Sequence, residues 1–589
     1  MAKAKGDVNL DAYGMIIIDE AHQHTTSTDL LLGHLKSLLS KRQNLKVVIV
    51  SATMDANLFA NYFPGSKVET VLDRRHEVTV KYLLQPPTDM IEKIVETILW
   101  IALSKQAKGH ILVFVSGVRE ISQVIAGVNA AFTGPNARFD PADLDPLEWY
   151  PLHSKLSFED QQRAVKSLPP MPVGRRFGRK VIVSTNIAEI SVTIDGVTHV
   201  IDSGMAKSRI WNAVNETWTI HEYPIGQAEI FQRIGRAGRQ RPGVAHLMYT
   251  EKGRKADRLE HAVAPILQCD MVSEALHIMK LGFNVPEFDF IIKPSTEAVG
   301  KALGLLCQLG TINKKMQVTL HGSDIAAVPI DVYSAAMLLE GSFRKCSCEV
   351  LSVVCMIEAT RNGQNVWRNP AKEPEARKKL EKAQAHFRHV SGDHLTLLNI
   401  YLGWRNARLK ASTDDFLDQW MLDGAVLRSA DGIRTALLIQ LRKHPAWDLK
   451  ELDKQDPLYY ATILQALAAG SYLQVAKRTS KAKEYEQVRT GVLAMLTNNT
   501  VFKVPPGGDQ WVFYSECFVH PEQGKMLSVV SCIAPELLFS SQPGYWWDTQ
   551  FLPEGHIKES VLDVLSRMTG ISKDAMRGSF PEPHTLRAD

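Results

Sequence analysis

The chain has 589 residues, of which 45% are apolar and 22% are charged, and its formal net charge is only +4. This composition predicts a globular protein of about three to five domains and excludes a polybasic arm, so any nucleic-acid groove must come from local placement of Lys and Arg. Seven scattered cysteines without a Cys-x-x-Cys pair indicate neither a zinc site nor a disulfide framework. No apolar run approaches the length of a membrane span and no signal-peptide pattern is present, so we expect an intracellular protein without membrane segments.

The first predicted strand ends in two adjacent carboxylates. The apolar run Met15–Ile18 leads into Asp-Glu-Ala-His at 19–22. A predicted helix over 28–39 separates it from a second apolar run, 47–50, which ends in Ser-Ala-Thr at 51–53. Both strands are predicted to be parallel and covered on both faces. Their polar ends then lie at the carboxyl edge of the sheet, where open α/β folds place their chemistry.

A second α/β unit is predicted from 76 to 250. Its strands are predicted at 78–83, 111–114, 180–183, 197–201 and 244–249. Alternating residues over 209–220 predict a β-hairpin, and the Pro- and Asp-rich segment 134–146 predicts a surface loop. The run Gln-Arg-Ile-Gly-Arg-Ala-Gly-Arg at 232–239 predicts a helix with Gln232, Arg236 and Arg239 on one face.

Helical patterns dominate from 251 to about 470. They include 259–281, 296–309 with a polar-apolar alternation up to Leu320, and the charged stretch 373–387, which predicts a solvated helix face. Short alternating runs return after 471, with a Pro-Pro-Gly-Gly break at 505–508, and predict a small barrel of the OB type. The last residues, 580–584, predict a loose tail.

Five motifs occur in an order that resembles the DEAH-box RNA helicases of superfamily 2. They are the tetrad 19–22, Ser-Ala-Thr at 51–53, the strand 111–114, Ser-Thr-Asn-Ile-Ala-Glu at 184–189, and 232–239. Gln232 resembles the DEAH group, since the related DEAD group typically has His there. The resemblance runs from about Gly6 to Pro553, and the segment 392–401 resembles the helical accessory domain of the pre-mRNA-splicing and ribosome-biogenesis branch.

The resemblance implies a domain order. RecA-like motor domains come first, an incomplete one at 1–75 and a second at 76–250. A winged-helix domain at 251–322, a helical ratchet domain at 323–470, an OB-fold at 471–565 and a tail at 566–589 follow. In the resembled family the hairpin acts as a wedge between strands, although an ordinary edge hairpin fits the same pattern.

The resemblance also implies an ATPase site. Asp19 would hold Mg²⁺ through water, because Mg²⁺ keeps several waters. Glu20 would accept a proton from the attacking water or orient it. Gln232 would help to place that water, and Arg236 and Arg239 would act as arginine fingers across the interdomain cleft.

Further residues are assigned by position in the resembled motifs. Asp195 resembles a nucleotide-side residue. His22, Ser51 and Thr53 are assigned to coupling between nucleotide state and domain movement, with core packing or capping as the alternative for each.

The RNA-facing residues are expected at strand ends and turns. Single strands are gripped through phosphates by amides, hydroxyls and scattered basic groups, without a compact sequence signature. A structural turn role is the alternative at each position. The residues implied are Ser116, Gly117, His153, Ser154, Thr185 and Asn186. Trp511 or Tyr514 could stack bases, but aromatic residues at strand spacing also suit a core.

One family element is missing from the sequence. No Gly-x-x-x-x-Gly-Lys-[Ser/Thr] motif occurs, so the resemblance predicts a truncated helicase that needs ATP and Mg²⁺ by family but is inactive alone. A parallel sheet without its central strands is expected to expose edges and apolar faces. The alternatives are a non-catalytic RNA- or protein-binding derivative and, less favoured, a DNA helicase. The expected partners are RNA, a glycine-rich (G-patch) activator and spliceosomal or pre-ribosomal particles in the nucleus, with no membrane.

Overall fold

The structure is a computed structural model. It describes residues 7–51, 56–71, 76–104, 109–132, 147–153, 156, 158–166, 179–189, 194–256, 258–259, 263–361, 365–370, 374–444, 447–481, 483–503, 510–541, 543–546, 549 and 552–577. Among these residues, no helix is long and apolar enough to cross a bilayer. The predicted loop 134–146 lies outside the described residues.

The N-terminal unit is a small two-stranded sheet. Its elements are β1 Met15–Ile18, α1 Thr26–Leu39, β2 Lys46–Ile49 and α2 Ala56–Tyr62. The two strands are parallel, as predicted, with Ile18 opposite Ile49. Leu32 and Leu35 of α1 pack with Ile18 in one buried cluster.

The opposite face of this sheet exposes apolar side chains to solvent. Met15, Ile17 and Val48 are 51%, 62% and 41% exposed. Side chains alternate between the two faces of a strand, and α1 covers only one of them. The expectation that both faces are covered is therefore wrong, whereas the expected exposure of apolar faces is confirmed.

The second unit is a six-stranded parallel sheet with a protruding hairpin. Its strands are β3 Val78–Tyr82, β4 His110–Phe114, β5 Leu147–Leu152, β6 Arg179–Ser184, β7 Val197–Asp202, β8 Met205–Asn212, β9 Thr217–Pro224 and β10 Gly243–Leu247. Its helices are α3 Met90–Leu103, α4 Val118–Phe132, α5 Phe158–Val165, α6 Gln227–Gly235 and α7 Glu251–Ala256. The strand order is β3-β10-β7-β4-β6-β5, all parallel, with β8 and β9 as the hairpin. The predicted RecA-like arrangement of a parallel sheet with covering helices is confirmed.

The segment that follows is less helical than predicted. It contains α8 Val272–Lys280, α9 Thr296–Gln308 and α10 Leu320–Ala326, with one antiparallel bridge between Ile312 and Val318. The predicted helix over 259–281 begins only at Val272, because Pro265 opens a separate short 3-10 turn and Met271 has φ 60°. The winged-helix assignment of 251–322 stays a prediction.

The next region is helical, as predicted. It comprises α11 Val332–Phe343, α12 Ser347–Thr360, α13 Pro374–Phe387, α14 Asp393–Leu409, α15 Thr413–Gln419, α16 Gly424–Leu441 and α17 Tyr459–Gly470. α13 is mostly solvated, and only Ala383 and Phe387 of its side chains are buried.

The C-terminal strands form a five-stranded barrel that is consistent with an OB-fold. They are β11 Val475–Arg478, β12 Glu484–Gln487, β13 Leu493–Leu496, β14 Trp511–His520 and β15 Gly524–Cys532, and the pairing of β11 with β14 closes the ring. Trp511 and Tyr514 are 2% and 6% exposed, so the core alternative is confirmed and base stacking on them is not supported.

Among the residues that the structure describes, four helices follow the barrel. They are α18 Pro535–Ser541, α19 Pro543–Trp546, α20 His556–Thr569 and α21 Lys573–Arg577. The predicted tail at 566–589 thus begins inside α20. Met568 and Met576 pack with the cluster of buried apolar side chains that also contains Leu538, Val561 and Leu565. The predicted loose tail at 580–584 lies outside the described residues.

Candidate functional site

The two carboxylates of the tetrad lie at the carboxyl end of β1. Asp19 and Glu20 are both exposed, and the Glu20 amide donates to Asp19 Oδ1 at 2.9 Å. Glu20 has φ 51°, a left-handed conformation that is uncommon for a residue with a side chain and is often found at functional sites. The next amide, of Ala21, donates to the Val50 carbonyl at 3.0 Å. The turn therefore presents two carboxylates to solvent from a backbone that is held by the neighbouring strand.

His22 connects this turn to the second α/β unit. The side-chain amide of Gln232, on α6, hydrogen-bonds to His22 Nε2. Glu20 Oε2 lies 3.3 Å from the same ring nitrogen, and the His22 side chain is only 5% exposed. The fold thus joins a residue of the tetrad to a residue of the 232–239 motif across 210 positions of sequence.

The 232–239 motif is helical only in its first half. α6 ends at Gly235, and Arg236 is its C-cap residue. Gly238 then packs closely against the start of the second unit, since a Cβ there would lie 2.7 Å from the His76 carbonyl oxygen. The prediction that Gln232, Arg236 and Arg239 share one helical face is therefore wrong.

The two predicted arginine fingers are placed differently. Arg236 donates from Nη2 to the carbonyl of Glu189, in the turn after β6. Arg239 is exposed beyond the end of α6. Their assignment as fingers stays a prediction.

Sequence reasoning missed Arg233, which organises the interior of the second unit. Its side chain is fully buried, with Nε 3.0 Å from Glu189 Oε2 and Nη1 2.7 Å from Asp202 Oδ1. Its guanidinium also lies 4.8 Å from the centre of the Phe114 ring. Asp202 in turn accepts from the Tyr249 hydroxyl at 3.1 Å. This network ties α6 to β4, to β7 and to the segments that follow β6 and β10.

Burial sets the ionisation of this network. Desolvation raises the pKa of Glu189 to about 7, and Arg233 opposes that rise without cancelling it. The neighbouring carboxylates of Asp202 and Glu229 raise it further. A signal for Arg233 was present in the sequence, because it lies three residues after Ile230 and so on the face of α6 that carries the buried side chains.

Three predicted RNA-facing residues lie at one edge of the parallel sheet. Ser116, His153 and Thr185 follow the carboxyl ends of β4, β5 and β6, and β6 lies between the other two strands. The Thr185 amide donates to the Leu152 carbonyl at 3.1 Å, which ties two of these strand ends together. The fold therefore brings the three residues to one edge.

The remaining predicted RNA-facing residues are less uniform. Asn186 is exposed, whereas Ser116 is only 8% exposed. Gly117 lies beside the ion pair of Glu120 and Lys207, and a Cβ at 117 would come within 2.7 Å of the Glu120 carboxylate. Ser154 lies outside the described residues.

The residues assigned to coupling and to the nucleotide side are described in part. Ser51 Oγ is buried and has no hydrogen-bond partner among the described residues, and Thr53 lies outside them. Asp195 is exposed and accepts from Gln240 Nε2 at 2.6 Å. Gln240 also accepts from the Gly196 amide at 2.9 Å, so the residue after Arg239 holds the turn that carries Asp195.

The site fits a hydrated Mg²⁺ but offers no phosphate cradle. Among the described residues, no three metal-ligating side chains cluster together. Asp19 could therefore hold Mg²⁺ only with water as most of its ligands, as this ion prefers. The sequence contains no glycine-rich loop with the Lys and hydroxyl that bind β- and γ-phosphates.

The hairpin is attached to the barrel. β9 pairs in parallel with β14, with Trp218 opposite Phe518, so β8 and β9 extend the sheet of the barrel to seven strands. Arg209 of β8 forms a partly buried ion pair with Glu516 of β14. Arg489 of the barrel forms another with Glu216, in the hairpin turn. The hairpin is therefore held by the C-terminal domains as well as by its own unit.

Two protein-family models match the chain. The helicase conserved C-terminal domain matches residues 89–241, which contain the sheet from β4 to β7, the hairpin and α6. The ratchet-like helicase-associated domain (HA2) matches residues 331–397, from α11 to the start of α14. These two domains, in this order, indicate a superfamily 2 helicase of the DEAH/RHA type.

Proposed function

We propose that this chain has the function class of an ATP-dependent RNA helicase of the DEAH-box type, a class that couples ATP hydrolysis to remodelling of RNA or RNA–protein particles, and that it is inactive alone because it lacks the phosphate-binding motif. The observation that carries the proposal is the contact between His22 and Gln232. It links the acidic tetrad of one α/β unit to the motif that follows the hairpin of the other. A contact of this kind allows the state of a nucleotide site to bias the relative positions of two units.

Each residue of the proposed site has a distinct task. Asp19 would hold Mg²⁺, which would supply positive charge to the phosphate oxygens. Glu20 accepts the proton of the attacking water, for which its exposure leaves room. Gln232 orients that water, and its bond to His22 limits the rotamers available to its amide.

The chain is proposed to be inactive as an ATPase by itself. Neutralisation of the β- and γ-phosphates needs a Lys and backbone amides that no motif in this sequence supplies. Purified chain, assayed with Mg²⁺-ATP and single-stranded RNA, is expected to show no RNA-stimulated phosphate release. Robust turnover that Glu20→Gln abolishes would contradict this.

RNA binding is the direct test of the proposed substrate. The chain is expected to bind single-stranded RNA more tightly than DNA of the same sequence, with affinity that falls as salt rises. Asn186→Ala should weaken RNA binding, because Asn186 is exposed next to the sheet edge that carries Ser116 and Thr185. Asn406→Ala, an exposed asparagine on α14, is the matched control. Equal effects of the two variants, or a preference for DNA, would contradict the proposal.

A second candidate is a non-catalytic RNA- or protein-binding derivative. The observation that favours it is the absence of a phosphate-binding motif from the sequence. RNA affinity measured with and without Mg²⁺-ATP separates the two candidates. A nucleotide-dependent change that Glu20→Gln alters supports the helicase, and indifference to nucleotide supports the derivative.

We further propose a G-patch activator, spliceosomal or pre-ribosomal particles, and the nucleus as partners and place of action. The support is the resemblance of 392–401 to that branch of the family. RNA binding measured with and without a glycine-rich activator fragment tests the first of these. An unchanged affinity at saturating activator would count against it.

A further inference from the structure

A cavity of about 110 Å³ lies where four parts of the chain meet. Arg209 reaches it from the hairpin, Asp270 from the segment before α8, Arg361 from the end of α12, and Gln487 from the barrel. Burying a charge without a partner is unfavourable, so the charges that line such a cavity are expected to balance.

The three guanidiniums at the cavity are all paired with carboxylates. The ion pairs are Arg209 with Glu516, Arg489 with Glu216, and Arg361 with Asp331. Arg361 also lies 3.0 Å from Glu358 Oε1. Burial raises the pKa of Glu358 to about 8, so this carboxyl keeps its proton at neutral pH. The three ion pairs therefore leave no net charge at the cavity.

Asp270 is a fourth carboxylate at the cavity. Among the described residues, no Lys, Arg or His is in ion-pair contact with it, and its hydrogen bond comes from the Val272 amide, 3.1 Å from Oδ1. Burial raises the pKa of Asp270, and the guanidiniums of Arg361 and Arg209 oppose that rise without cancelling it. Both guanidiniums already have their own carboxylate partners. When Asp270 is ionised, one negative charge is thus uncompensated.

Two neutral side chains at the same cavity have free polar atoms. Gln474 Oε1 and Gln487 Nε2 are buried and have no hydrogen-bond partner within the described part of the chain. Gln487 is only 3% exposed, and its Oε1 accepts from the Thr490 hydroxyl at 2.6 Å. A hydroxyl both donates and accepts, so rotating this amide by 180° keeps the contact and puts an oxygen in place of Nε2. Two amide oxygens and one carboxylate are then available at one cavity.

We propose that this cavity binds a monovalent alkali-metal cation. One carboxylate balances one positive charge, and amide oxygens can replace part of the hydration shell of such an ion, as backbone carbonyls do in potassium channels. A divalent ion is less suited, because the three guanidiniums repel its double charge more strongly.

Water alone does not complete this site. It can fill the cavity and hydrogen-bond to the amides, but it leaves the charge of Asp270 without a counter-charge. Arg489 Nε also has no hydrogen-bond partner among the described residues, and it can donate to a water that the ion keeps. The bound ion therefore holds the hairpin, the segment before α8, the helical region and the barrel together.

The test uses the full chain without RNA or nucleotide, in KCl or in tetramethylammonium chloride of equal ionic strength. The methyl groups of the second cation keep its charge away from oxygen ligands. Hydrogen exchange of peptides that cover Met205–Pro224 measures opening of the hairpin. Asp270→Asn removes the charge and keeps an oxygen for the Val272 amide. Asp415→Asn, at an exposed carboxyl of α15, is the matched control. Thermal melts in tetramethylammonium chloride establish that both variants fold.

In the wild type, replacing tetramethylammonium by K⁺ should slow hairpin exchange in a saturable way. At about ten times the dissociation constant of K⁺ the exchange should be about ten-fold slower, because the ion binds only the closed state. Asp415→Asn should respond like the wild type, and Asp270→Asn should not respond. Crystals in which Rb⁺ replaces K⁺ should show its anomalous signal at the cavity.

Equal hairpin exchange of the wild type in the two salts would overturn the inference. If that exchange, corrected for the intrinsic rate, instead slows as pH falls and Asp270→Asn removes the effect, a proton and not a cation neutralises Asp270. A response to K⁺ that Asp270→Asn retains would place the ion elsewhere on the chain. These experiments contain no RNA, so their outcome does not depend on the proposed function, and failure of RNA binding leaves the cation site intact.

Discussion

Replacing Arg233 by methionine is expected to loosen the second α/β unit around α6 and β7. Methionine keeps much of the apolar volume but removes both ion pairs, to Glu189 at 3.0 Å and to Asp202 at 2.7 Å. Breaking a buried charge pair by removing one partner costs about 3–5 kcal/mol. The pKa of Glu189 is already raised to about 7, so this carboxyl can take up a proton near neutral pH. Asp202 is then the carboxylate without a partner, and we expect the free energy of local unfolding to fall by about 3 kcal/mol.

Hydrogen exchange measures this loss within one domain of a multi-domain chain, for which a single unfolding free energy is not defined. A loss of about 3 kcal/mol corresponds to exchange about 100-fold faster. It should appear in peptides that cover Val197–Asp202 and Gln227–Gly235, while barrel peptides stay unchanged. Arg239→Met is the matched control, since Arg239 is exposed and such changes usually stay within about 0.5 kcal/mol. Equal exchange in the two variants would refute the reasoning.

Three further predictions concern pH and the contacts between domains. Burial raises the pKa of Glu189 from its ordinary 4.5 to about 7, so the contribution of this carboxyl to stability is fully present below that window and is lost as pH rises through it. Glu189→Gln should remove this contribution, which thermal melts on either side of the window measure. Asp393 accepts from two backbone amides and a hydroxyl. Asp393→Ala should therefore speed hydrogen exchange about 100-fold, which corresponds to about 3 kcal/mol, in peptides that cover Gly524–Cys532, and Asp393→Asn should do so less. Reversing the charge of Arg209 or of Glu516 alone should speed hydrogen exchange in the hairpin, because each change breaks their ion pair. Reversing both charges together should slow the exchange again in part. If the double variant exchanges as fast as the single variants combined, the pair does not stabilise the hairpin.

Local patterns were enough to predict most strands and helices. Met15–Ile18 and Val78–Tyr82 were predicted nearly to the residue, because apolar runs bounded by polar residues depend on neighbours in sequence. The hairpin was also predicted, although it is longer at both ends than the alternating segment 209–220. Such elements need little information from the rest of the chain.

Helix ends and charged residues were harder to predict. The motif at 232–239 has helical spacing, but α6 ends at Gly235, and Gly238 beyond it packs against the His76 carbonyl. The spacing of Arg233 from Ile230 indicates a buried position, but its partners Glu189 and Asp202 lie on other elements and could not be identified from the helical pattern. The helix propensity of a segment carries no information about contacts with residues far away in the sequence.

The order of motifs and the helical and barrel regions could be derived from the sequence, because they depend on residue type and spacing. The roles of the candidate site residues came from the resemblance to a known family and stay predictions. The His22–Gln232 contact, the buried network of Arg233, the attachment of the hairpin to β14 and the cavity beside it were decided by tertiary structure. Each of them joins residues from elements far apart in the chain, and their packing together depends on the burial of the whole core rather than on any local pattern.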